Sequence, residues 1–160
     1  MWILWAALSW GADIEGTFER STPSSEISAA VEAAVEASIA DLPGMARGRA
    51  RGQLTDKATT CSNYAFRHTE AELAWRCDGA AEVVVPVAQL GVQTTLQIDG
   101  QAVPATVTHQ GDVIEAVFAG EEGSRTIRFT FAAGQLTVDN TLAGSKLSVP
   151  LMWSASYARQ

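Results

Sequence analysis

Arg125-Thr126-Ile127-Arg128-Phe129-Thr130-Phe131, followed past Gly134 by Leu136-Thr137-Val138-Asp139-Asn140-Thr141-Leu142, is the stretch that decides the fold. In the first run Ile127, Phe129 and Phe131 share one side, and Thr126, Arg128 and Thr130 the other. In the second, Leu136, Val138 and Leu142 oppose Thr137, Asp139 and Thr141. Alternation with a period of two marks strands with one buried and one wet face. The pattern continues outward. Residues 92–98 set Val92, Leu96 and Ile98 against Gln93, Thr95 and Gln97, and end at Asp99-Gly100, a strong hairpin signal. Residues 147–157 set Leu147, Val149, Leu151, Trp153, Ala155 and Tyr157 against Ser148, Ser154 and Ser156. Further strands are expected over 13–20, 62–67, Glu72–Cys77, 82–87, 103–109 and Val113–Ala119. About ten strands at roughly ten-residue spacing predict an antiparallel barrel or sandwich.

One helical segment interrupts the strands. Apolar residues at Ile27, Val31, Ala34, Val35, Ile39 and Leu42 follow the helical repeat, with Ser38 on the same stripe. Thr22, Ser24 or Ser25 can cap its start, and Leu42-Pro43-Gly44 is the expected stop. Residues 45–54 allow a second short helix. They carry Arg47, Arg49 and Arg51, with Lys57 just beyond, four of the 11 basic side chains.

Composition bounds the function. The chain has 160 residues, 47% hydrophobic and 18% charged, which fits one globular domain. Eighteen acidic against 11 basic side chains give a net charge of −7, which disfavours nucleic acid as a partner. Two His and two Cys leave almost no material for a zinc site, so no metal is expected. No Gly-rich phosphate loop, Gly-x-Ser-x-Gly or His-Glu-x-x-His occurs, and no cofactor is expected. Residues 1–12 contain no charged side chain and resemble the apolar core of a secretory signal, with small residues near Ser9–Ala12 for cleavage. The alternative is an apolar strand leading into a domain that spans 13–160. Cys61 and Cys77 flank one hairpin. A disulfide between them would fit an exported, periplasmic or extracellular protein; two buried free thiols are the alternative. A register pairing Tyr64 with Trp75 would match aromatic to aromatic but set Cys61 diagonal to Cys77.

The order of elements resembles the calycin superfamily, the lipocalins and fatty-acid-binding proteins. Gly16-Thr17-Phe18 looks like their opening Gly-x-Trp strand. A helical segment over about 23–54 sits where the fatty-acid-binding branch has its lid, and 153–159 looks like their closing strand. The resemblance implies a mainly β, single up-and-down barrel of 8–10 strands. It also implies that Arg159 packs over Phe18. Tyr157 matches the family's carboxylate-reading Tyr, but Ala155 stands where its Arg belongs. The second carboxylate-reading Arg would fall near Phe129, with Arg128 on the opposite face. That departure favours a neutral lipophile.

The inward-facing residues are the candidate ligand contacts: Tyr64, Phe66 and Trp75 from the first hairpin, and Ile127, Phe129, Phe131, Trp153 and Tyr157 from the later strands, with Phe118 sharing that face. The opposing reading is that these rings simply fill the barrel. Arg125 shares the interior parity and is either a lone polar anchor near a rim or a solvated strand end. His109 points inward by parity and is a second polar candidate, while His68 is expected to be exposed at a turn. Arg47, Arg49 and Arg51 form a candidate patch at the mouth for ligand entry or an anionic membrane surface; the opposing reading is a solvated segment balancing nearby Glu. The leading expectation is therefore non-enzymatic binding of a small lipophilic molecule. The alternatives are a filled barrel acting as a structural or interaction module, and a barrel enzyme of the isomerase or cyclase type using His109.

Overall fold

The structure, a computed structural model, describes residues 14–160; the leader expected over 1–12 lies outside the described residues. Ten strands form one antiparallel sheet: β1 (Gly16–Arg20), β2 (Asn63–His68), β3 (Glu72–Cys77), β4 (Val83–Pro86), β5 (Gln93–Ile98), β6 (Gln101–Gln110), β7 (Val113–Ala119), β8 (Gly123–Ala132), β9 (Gln135–Gly144) and β10 (Leu151–Arg159). Their order is β4-β3-β2-β1-β10-β9-β8-β7-β6-β5. Every pairing but β1 with β10 joins sequence neighbours, so the sheet is an up-and-down meander that curls into a barrel. β4 and β5 touch without pairing, which leaves one open seam. Pro86 ends β4, and a 3-10 turn (Val87–Gln89) leads away.

Local chemistry sets the turns. Asp99 (φ +49°) and Gly100 (φ +77°) both take the left-handed conformation that a two-residue hairpin needs. The last strand begins at Leu151, later than the alternation from Leu147 implies. Pro150 cannot donate to a ladder, Leu147 N–H is held by the Gly144 carbonyl at 3.2 Å, and Val149 is exposed.

Two helices cover one end of the barrel between β1 and β2. α1 (Ser24–Ser38) buries Ile27, Val31, Val35 and Ser38, four residues of the predicted stripe, and packs against β10. The Ser38 hydroxyl donates to the Ala34 carbonyl at 3.0 Å, so no polar group is stranded. α1 stops four residues before Leu42. Its end is held from outside: Ser148 N–H reaches the Ser38 carbonyl at 2.9 Å. No side chain caps its start; Pro23 takes the cap position, and the Thr22 hydroxyl instead accepts the Ser156 N–H at 2.8 Å. α2 (Gly44–Lys57) buries no residue fully and rests on α1. Arg47 donates to the Ala40 and Leu42 carbonyls, both at 3.1 Å, and Arg51 pairs with Glu36.

The β2–β3 register keeps an aromatic match, but with Phe66 in place of Tyr64 opposite Trp75; Tyr64 faces Cys77. This is a two-residue shift, which keeps every side chain on its own face. Cys61 lies just ahead of β2 and still reaches Cys77, to which it is disulfide-bonded with Cα atoms 5.5 Å apart. The Asp78 carboxylate gathers the segment by accepting the Ser62 and Asn63 N–H groups at 2.9 and 2.8 Å.

Candidate ligand-binding site

Parity delivers the inward-facing rings to one place, and there they pack on each other. At the far end of the barrel Phe18 meets Phe66 and Phe131 with centroids 6.0 and 5.6 Å apart. Phe66 meets Phe131 and Phe129 at 5.0 and 5.1 Å. In the middle, Phe129 meets Tyr64 at 5.4 Å and Trp75 at 5.6 Å, and Tyr64 meets Tyr157 at 5.2 Å. Most of these contacts are edge-to-face, the arrangement aromatic quadrupoles favour. The cluster fills the lower and middle barrel. Arg159 closes its base, with its guanidinium 4.9 Å from the Phe18 ring centre, as the resemblance implies. Gly16 (φ +132°) makes room for this: a Cβ there would come within 2.8 Å of the Arg159 guanidinium.

The mouth is different. Trp153 and Tyr157 turn their polar atoms toward the segment joining α2 to β2. Trp153 Nε1 donates to the Thr59 carbonyl at 3.3 Å, and the Tyr157 hydroxyl to the Cys61 carbonyl at 2.7 Å. The hydroxyl that matches the family's carboxylate reader is thus committed to backbone. Burial pushes the phenol of Tyr157 above its usual range and that of Tyr64 up to about 12.

Arg125, at the start of β8, points inward. It is half-buried rather than a solvated strand end. Its Nη2 donates to Asn140 Oδ1 at 3.1 Å, and its guanidinium carbon lies 5.6 Å from the Trp153 ring centre. Its Nε is buried and meets no hydrogen-bond partner among the described residues. Desolvation holds its pKa below the ordinary arginine value. Asn140, 4% exposed, was missed from the sequence, although it shares parity with Leu136, Val138 and Leu142 and faces Ile127 on β8.

Two cavities flank α2. One, of about 400 Å³, lies between α2 and the ends of β7, β8 and β9, walled by Leu54, Val103, Phe118, Leu142 and Leu147, with Arg125 in its lining. The other, about 510 Å³, separates α1 from α2 over Ile27, Val31 and Val35. Of the eight inward residues singled out above as ligand contacts, none lines either cavity; they stand beneath as packed core. Of the basic patch, Arg47 turns to the loop that follows α1, Arg51 pairs with Glu36 on α1, and Arg49 is exposed. Arg128 lies outside the barrel, 3.5 Å from Glu115.

His109 is inward and half-buried at the far end, its Nε2 3.1 Å from the Gly111 carbonyl. His68 is not exposed as expected; it is half-buried, its ring 5.5 Å from that of His109. Both lie at the far end from the mouth cavity. Among the described residues, the grouping of metal-type donors is Cys61, Cys77 and Asp78, whose sulfurs are joined to each other.

No protein-family model matches the chain, and no curated protein matches it by sequence. Solved structures do match. Human cRBP IV superposes with a TM-score of 0.51 at 11% identity, covering 94% of this chain and 100% of that one. A zebrafish ileal bile acid-binding protein complexed with cholic acid gives 0.53 at 9%, covering 91% and 98%. A secretory abundant heat soluble protein from Ramazzottius varieornatus gives 0.54 at 10%, covering 94% and 97%. At such identities the likeness is one of fold. The chain shares the fold of these structures: a nearly closed antiparallel barrel whose mouth is covered by two helices between the first and second strands.

Proposed function

We propose that the protein binds a small lipophilic molecule non-covalently at the helix-covered mouth of the barrel. The observation that carries this is the cavity of about 400 Å³ beside α2, where Leu54, Val103, Phe118, Leu142 and Leu147 supply apolar wall, Arg125 points inward, and Lys57, Glu122 and Lys146 also line the space. Ligand sites have this make-up and size, roughly 300–1,000 Å³. The ring cluster forms the floor, and burial of ligand surface at about 25 cal/mol per Å² supplies the affinity. α2, which buries no residue fully, is the element that can move to admit a ligand. The disulfide supports export, because such bonds persist in oxidising compartments.

Native mass spectrometry of protein purified from its own host, followed by organic extraction, tests both parts. A co-purifying apolar molecule and a chain lacking residues 1–12 are expected. An empty protein that also ignores lipophilic dyes overturns the binding reading; a full-length mass overturns export. The second reading, a filled barrel that serves as an interaction module, draws on the interlocked rings and is what the empty result would favour.

A further inference from the structure

Resting on that binding reading, we infer that the mouth cavity takes a compact anionic amphiphile: a ring-sized apolar body bearing one carboxylate or sulfonate, whose anion docks on Arg125. Three observations converge. Arg125 is a cation turned into the barrel, and no carboxylate among the described residues pairs with it. A half-buried charge left without a partner is partly desolvated, and a charge-assisted pair offsets that desolvation. Second, its donors are incompletely used. Nη2 is occupied by Asn140 and the buried Nε–H has no acceptor among the described residues, so the guanidinium keeps hydrogen-bonding capacity that a planar or trigonal anion would use. Trp153 supports the guanidinium from one side and fixes its orientation. Third, the space bounds the ligand. The cavity is about 400 Å³, and the depth below is occupied by Phe129, Tyr64 and Tyr157, so a long chain has nowhere to extend inward.

The same geometry reverses the expectation of a neutral ligand. Ala155 and Phe129 do leave the deep positions without a cation, but the charge has a place four residues nearer the mouth. There Phe118, Leu54 and Leu142 receive the apolar body. The head group therefore lies at the lid end of the barrel.

A matched pair of fluorophores tests this: 1-anilinonaphthalene-8-sulfonate and the neutral N-phenyl-1-naphthylamine, which share one skeleton. The wild type is expected to bind the sulfonate at least tenfold more tightly. Arg125→Met should lose that preference, the sulfonate's affinity falling at least tenfold relative to that of the neutral dye; circular dichroism checks that the variant is folded. In competition on the wild type, which needs no variant, 1-naphthoate should displace the sulfonate dye at lower concentration than hexadecanoate. If both dyes bind equally, or if Arg125→Met keeps the preference, the anion site is overturned while lipophile binding stands. If hexadecanoate competes better, the compact-ligand limit is overturned. If neither dye binds the wild type, the binding reading itself fails and this inference with it.

Discussion

Replacing Phe129 by alanine measures how full the barrel is. Phe129 is 0% exposed and its ring is bracketed by Phe66, Tyr64 and Trp75 at 5.1, 5.4 and 5.6 Å. Truncating a buried Phe costs about 3–5 kcal/mol in lost transfer energy and residual cavity. Here the neighbours are themselves rings locked against Phe131, Phe18 and Tyr157, so the site collapses poorly. Each lost edge-to-face contact adds about 0.5–1.5 kcal/mol beyond area. The upper end, about 4–5 kcal/mol, is therefore expected. For a chain of this length that is a fall of roughly 8–20 °C in Tm. With a urea m value of about 2 kcal/mol/M it is a midpoint shift of roughly 2 M. Urea unfolding followed by tryptophan fluorescence reads the shift. Benzene should raise the Tm of Phe129→Ala and leave the wild type unchanged, since the new void is apolar. A loss under about 1 kcal/mol would refute the reasoning: the ring would then face existing empty space, and the lower barrel would be a cavity in its own right.

Three further outcomes are expected. Reduction of Cys61–Cys77, or the paired Cys61→Ser and Cys77→Ser change, should cost about 3 kcal/mol, because the bond closes a short loop of 16-residue separation; calorimetry with and without reductant checks it, and an unchanged Tm would count against it. Burial, and secondarily the neighbouring His68, hold the His109 imidazole below its ordinary 6.5, against the Gly111 hydrogen bond and Asp112, which raise it. The unfolded chain then binds that proton more readily, so stability is level above pH 6.5 and declines as pH falls through the lower folded value; His109→Gln should flatten this part of the pH–stability curve, and an equal slope in the variant would exclude His109 as its source. Ala133 sits at φ +48° in the β8–β9 turn, which disfavours a side chain by about 1–2 kcal/mol. Ala133→Asn, which tolerates that conformation, should raise Tm by a few degrees; no gain would mean that the turn carries no such strain.

Much of the architecture was legible because it depends on short-range periodicity. The alternation in β8 and β9 placed Phe129 and Phe131 inward, and parity alone put Arg125 and His109 on the same face. The helical stripe named the residues α1 buries, Ser38 included. Boundaries were less legible where a distant partner sets them. α1 ends where Ser148 reaches Ser38, and β10 begins after Pro150 rather than at Leu147. The hairpin register moved by two residues because faces constrain parity only; Asp78, through its hydrogen bonds to Ser62 and Asn63, sets the pairing. Asn140 was overlooked although its parity is plain, because a polar residue on an apolar face gives no signal of its own until a partner is seen.

Sequence alone determined that amphipathic antiparallel strands and one amphipathic helix would bury their apolar faces together, since two-residue and 3.6-residue periods leave one such face each; the barrel with a helical cover came only from the resemblance. Only the tertiary structure decided what that core does. Whether inward rings line a space or fill it depends on distances between strands far apart in sequence, and here Tyr64, Phe66, Phe129 and Tyr157 close on one another. Whether Arg125 meets water, a carboxylate or neither depends equally on what crosses the mouth. It meets Asn140 and Trp153, with α2 across the cavity, and no carboxylate among the described residues pairs with it.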